Sequence, residues 1–152
     1  MPSFSVSGSI AVAATKTPLI IGSGGTSSPR TRITQFVLSA SGTPSSDAGY
    51  EMQVKRATAL GTSTAFTPNP VDPAETACET TAGVNCSVEP TYTASSQLKD
   101  ILCNPRATWT WMPYQTEGEL VIPATTANGI GWQLQSAGGV GTNVFVDATF
   151  RE

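Results

Sequence analysis

Two carboxylates, Glu117 and Glu119, flank Gly118. Residues two apart on a strand share a face, so this pair could act as the acid and base of glycoside hydrolysis. A solvated hairpin carries the same pair with no chemical role, and no third residue nearby supports catalysis. Asp72, Glu75 and Glu79 could gather around Ca²⁺, a hard cation that takes carboxylate oxygens. Their spacing lacks the EF-hand pattern, and acidic residues on a proline-rich loop are more often simply solvated. Trp109, Trp111, Tyr114 and Trp132 could form a sugar-stacking platform, but Trp109 and Trp111 fall on one strand face, where core packing also places them. Histidine is absent. That removes Ser–His–Asp and Cys–His catalysis and the commonest metal ligand.

The three cysteines are Cys78, Cys86 and Cys103. A Cys78–Cys86 disulfide could staple the loop between them, whereas a cytoplasmic origin favours free thiols. The spacing and the missing histidine do not make a zinc tetrahedron. The glycine tracts at Gly22–Gly25 and Gly138–Gly141 lack the Lys-Ser/Thr of a phosphate loop and read as turns, the second as a hairpin turn before the last strand. No cofactor and no metal are expected from these residues.

The elements that would position any such group are strands. Val144, Val146, Ala148 and Phe150 alternate with Phe145, Asp147, Thr149 and Arg151. Ile130, Trp132 and Leu134 alternate with Gly131, Gln133 and Gln135, and Tyr50, Met52 and Val54 with Glu51, Gln53 and Lys55. A period of two means one face packs inward and the other meets solvent or a partner. Thr31 to Ser41 is a further strand, and Leu120–Ile122 stops at Pro123. Residues 57–90 are poor in large apolar side chains and read as a long loop, in which Pro68, Pro70 and Pro73 exclude a central strand. Asp72 could cap a short helical turn beginning at Pro73. Residues 95–102 read as a brief helix or an irregular strand. Residues 1–21 form an extended N-terminal arm or a first strand, and 22–152 a single β-sandwich domain. About eight short strands favour a jelly-roll-like antiparallel β-sandwich, an all-β fold, over an immunoglobulin-like one.

The chain has 152 residues, enough for one domain with its own core. Charged residues make up 12% of it, against about 25% in ordinary soluble domains. Serine, threonine and glycine replace them, and such surfaces desolvate cheaply on contact. The net charge is −3 with scattered basic residues, which argues against nucleic acid as a partner. No apolar run reaches the length of a membrane helix. The opening MPSFSVSGSIAVAA lacks the basic start and apolar block of a secretory signal, so synthesis and assembly in a cytoplasm are expected.

In FSVSGSIAVAATKT, TRITQFVLSASG, YEMQVKRAT, FTPNPVDPAET, SVEPTYT, NPRATWTWMP, ELVIPATTANGIGWQL and VFVDATFRE the chain resembles bacteriophage capsid decoration proteins, the cement or auxiliary head proteins. The segment CETTAGVNC departs from that pattern. The resemblance implies a non-enzymatic jelly-roll subunit that binds the major capsid protein on the outer capsid surface of the virion as a homotrimer and stabilises the mature head. It also implies termini that reach neighbouring subunits. The surfaces expected to meet partners are the N-terminal arm, through Phe4, Val6, Ile10 and Val12, and the loop carrying Phe66, Pro68 and Pro70. The alternative function is a carbohydrate-binding jelly-roll module of a phage fibre or adhesin. A hydrolase is the third and weakest reading.

Overall fold

The computed structural model describes residues 1–25, 29–114 and 118–152, and the regular elements among them are all strands. In chain order they are β1 (Ser3–Ala11), β2 (Lys16–Gly22), β3 (Thr31–Ala40), β4 (Tyr50–Ala59), β5 (Thr62–Phe66), β6 (Asn69–Pro70), β7 (Thr81–Val88), β8 (Thr91–Cys103), β9 (Trp109–Trp111), β10 (Leu120–Ile122), β11 (Gly129–Ser136) and β12 (Asn143–Arg151). The alternation that predicts strands at residues 50–55, 130–135 and 144–151 is realised in β4, β11 and β12.

Two antiparallel sheets pack against each other. The first runs β10-β3-β12-β1-β6, with β9 also on β3. The second runs β5-β7-β2-β11-β4-β8. The pairings are nested: β1 with β12, β2 with β11, β3 with β9 and β10, β4 with β8. A long antiparallel ribbon folded on itself gives this nesting. Rolling it up lays β12 beside β3 and β11 beside β4. The order is that of a jelly roll, not of an immunoglobulin sandwich.

The core lies between the sheets. Phe4, Val6, Phe36, Leu38, Val144, Val146 and Phe150 from the first sheet meet Leu19, Ile21, Met52, Val54, Trp132 and Leu134 from the second. Phe36 sits at its centre, with Trp111, Trp132 and Trp109 rings at 5.1, 5.5 and 5.8 Å. Each large side chain buried here contributes roughly 1.5–3 kcal/mol.

The N-terminal segment is a first strand rather than an arm. β1 pairs with β12 at every position from Ser3 to Ala11. The alternation that made it look like an arm's contact face, Phe4, Val6 and Ile10 against Ser3, Ser5, Ser7 and Ser9, is its core face.

The stretch 57–90 is also more ordered than its composition suggests. It continues the β4–β8 ribbon, bends back at residues 60–61 and 89–90, and pairs β5 with β7 and β7 with β2. The bend crosses the outer side of the second sheet. There Ile20, Ala57 and Cys86 form a small second cluster under Leu60 and Tyr92. A Cβ at Gly131 would collide with the Tyr92 hydroxyl and ring, so any side chain there would force the crossing to shift. The prolines act as expected: β6, which contains Pro70, is a two-residue edge strand on β1. Asp72 caps a β-turn and not a helix, with its Oδ1 accepting from the Ala74 N–H and its carbonyl from the Glu75 N–H. The C-terminal residue anchors the insert, since the Glu152 carboxylate accepts from the Glu79 and Thr80 N–H groups and from the Thr80 hydroxyl.

Residues 95–102 belong to the irregular strand β8, where Ser95 adopts φ +54° and the register against β4 shifts repeatedly. The second glycine tract is a turn, but not a hairpin. It carries the chain from β11 in one sheet to β12 in the other. Gly138, at φ +52°, lies against the backbone of Gly49.

Candidate binding face

Most of the residues expected to face a partner are inside the protein. Phe4, Val6 and Ile10 are buried in the core, Val12 packs half-buried against it, and Pro68 is buried. Strand alternation shows which residues share a face. It does not show that β2 and β7 of the second sheet lie over that face and close the core. Phe66 is half-buried like Val12, and of the expected set only Pro70 is exposed. The insert also raises Val71 and Val88 into solvent, 60% and 58% exposed.

The other chemical candidates separate in the same way. Glu119 is not a free carboxylate. Arg151 Nη2 lies 2.6 Å from one of its oxygens and Arg32 Nη1 3.6 Å from the other, and 4% of its side chain is exposed. Glu117 lies outside the described residues. Asp72, Glu75 and Glu79 do not converge, and among the described residues no group of three metal-ligating side chains forms. Trp132 is fully buried, while at the rim of the core Trp111 stacks on Phe36 and Trp109 packs tilted against it. Core packing therefore accounts for all three tryptophans, and Tyr114 alone of the proposed platform is fully in solvent. The three thiols are free. Cys86 belongs to the small outer cluster and Cys78 packs against the main core. Burial, and for Cys78 the nearby Glu152 charge, pushes their pKa values up to about 11 and about 12 respectively.

What the fold does assemble is the outer face of the first sheet. Registered pairing lines up two neighbouring rows of side chains across it. One row is Ser7, Asp147, Val37 and Thr110; the other is Asn69, Ser5, Thr149 and Gln35. The rows floor an open groove of about 250 Å³, walled by Phe66 and Asn69 of the insert. The Ser7 hydroxyl donates to Asp147 Oδ1 and orients that carboxylate. Among the described residues Asp147 is the only charged side chain lining the groove. Phe145 stands half-buried on the same face, two residues along β12 and between Ser9 and Ser39.

Sequence reading missed Ser7, Gln35 and Asp147 as a group. The signal present was the alternation Ser3, Ser5, Ser7, Ser9 and its counterpart Phe145, Asp147, Thr149. What brings the two together is the β1–β12 register. No family model matches the chain, and no curated protein is similar to it in sequence.

Proposed function

We propose that the protein is a non-enzymatic virion structural protein, a capsid decoration protein that binds the major capsid protein lattice from outside as a homotrimer and stabilises the mature head. The insert is the observation that carries this reading. It leaves the roll between β4 and β8, ties the edge of each sheet, and presents Pro70, Val71 and Val88 to solvent. The resemblance to decoration proteins and the 12% charged composition support it, because a surface with few charges makes broad contact at little desolvation cost. The edge strand β5 of the second sheet offers free backbone groups to a neighbouring chain. A clamp that binds only the assembled, expanded lattice stabilises it by mass action, and three linked copies turn modest contacts into a tight one.

With Phe4, Val6 and Ile10 buried, the insert is what this reading retains of the two contact surfaces expected from the sequence. The test is co-sedimentation of the purified protein with undecorated, expanded phage heads, together with its mass in solution. Saturable pelleting of a trimer, weakened at least about tenfold by the double substitution Val71→Asp and Val88→Asp, is the expected result. A monomer that stays in the supernatant sinks the proposal.

A further inference from the structure

We infer that the groove on the outer face of the first sheet binds a neutral carbohydrate. Its lining selects that ligand class. Among the described residues no lysine or arginine lines it, so these offer nothing to phosphate, sulfate or a carboxylated sugar. The nearest arginines in register, Arg32 and Arg151, are both engaged by Glu119. The floor instead alternates groups that both donate and accept, the Ser5 and Thr149 hydroxyls and the Gln35 and Asn69 amides, around one oriented carboxylate. Vicinal sugar hydroxyls require that mixture.

Asp147 is the anchor. An ionised carboxylate has about four acceptor positions, and the Ser7 hydroxyl occupies a single one. The remainder can accept a pair of ligand hydroxyls through charge-assisted bonds, which are the stronger kind. Val37 and the Phe66 ring supply the apolar surface that the C–H face of a pyranose needs. Phe145 extends that surface along β12, roughly 7 Å away at about 3.4 Å per residue. A volume of about 250 Å³ lies below the usual range for drug-sized ligands, ~300–1,000 Å³, and suits one or two sugar rings entering from the open side. All of these side chains sit on strands, so the site is fixed before a ligand arrives. This inference does not depend on capsid binding.

The test uses the ¹⁵N-labelled full chain and neutral trisaccharides of glucose, galactose and N-acetylglucosamine, with sialyllactose as the anionic control, read by amide chemical-shift titration. The expected result is saturable shifts at Ser7, Val37, Asp147 and Thr149 with at least one neutral sugar. Asp147→Asn and Gln35→Ala should each weaken binding at least about tenfold while leaving the rest of the spectrum unchanged. Both positions are on the outer face, so neither substitution threatens folding. Silence towards every neutral sugar overturns the inference, as does binding that neither variant alters. Head pelleting measured on the same variants separates the two functions. A variant that loses head binding in a protein that binds no sugar makes the face a docking surface and overturns the inference.

Discussion

The Glu119 carboxylate lies 2.6 Å from Arg151 Nη2, with 4% of its own side chain exposed and 29% of the arginine's. This pair joins the last residues of β12 to the segment entering β10, and Arg32 on β3 completes it. A carboxylate this enclosed between two guanidinium groups has a structural role. Of the sequence pair Glu117–Glu119, the described member is thus already held in an ion pair.

Removing the charge from Glu119 should leave two arginines without their counter-ion. Breaking one partner of a buried pair costs about 3–5 kcal/mol, and the partial exposure of both arginines places this case near the lower end. Glu119→Gln should lower the urea unfolding free energy by about 3 kcal/mol. Combining it with Arg151→Met should recover part of the loss. A single variant as stable as the parent would show that the pair contributes nothing.

The ribbon that crosses the second sheet rests on a glycine. Gly131 leaves room for Tyr92, whose hydroxyl lies 2.8 Å from Thr17 Oγ1, and that threonine donates to Glu89 at 2.6 Å. Gly131→Ala should push the ribbon off its floor and cost roughly 1–3 kcal/mol, the usual range for overpacking. Hydrogen exchange should quicken in β5 and β7 more than in β12. Adding Tyr92→Phe should relieve part of the clash. Uniform exchange across both sheets would place the defect elsewhere.

How much of this was legible can be read from particular residues. Val144 to Phe150 and Tyr50 to Val54 declared strands because their inner residues are large and their outer ones polar. Phe4, Val6 and Ile10 declared a strand equally well, but alternation is silent on what lies alongside. The pairing of Ser7 with Asp147 joins residues at opposite ends of the chain, and no local signal encodes it. Residues 62–66 and 81–88 escaped notice because their ribbon packs on glycine and small side chains. The long apolar residues that announce a strand are not needed there. Trp109 and Trp111 were readable as core by their shared face. That Phe36 is the ring they meet became visible only with β9 laid against β3.

Lys99 guards the open side of the sandwich. It pairs in register with the buried Val54, so it points between the sheets, and its ammonium lies 5.7 Å from the Trp111 ring centre on the opposite sheet. An inward charge at an edge strand discourages edge-to-edge association. Lys99→Leu should remove a cation–π contact worth about 0.5–1 kcal/mol and make β8 sticky. Light scattering at rising concentration should then show association beyond the parent's own oligomer. A variant with unchanged scattering would assign the edge's protection to the bulges of β8 alone.

Alkaline pH should loosen the fold through its buried thiols and phenols. Burial raises the Cys86 thiol to about 11 and the Cys78 thiol to about 12. Cys103, Tyr50 and Tyr92 shift the same way, desolvation again being the largest cause. In the unfolded chain a thiol ionises near 9.0. Above that pH the unfolded state releases protons that the native state retains, so the native state is favoured less at each step. The stability from these thiols is complete below pH 9 and declines as pH rises through 9 towards 11 and 12. The urea midpoint should therefore hold level from pH 7 to about 8.5 and fall beyond it, with Cys86→Ala flattening part of the fall. Thiol-reactive dye should label the native protein slowly across the level range and quickly once urea unfolds it. A midpoint that stays flat to about pH 10.5, or dye that labels Cys86 at once in the folded protein, would mean that the small outer cluster is open to water.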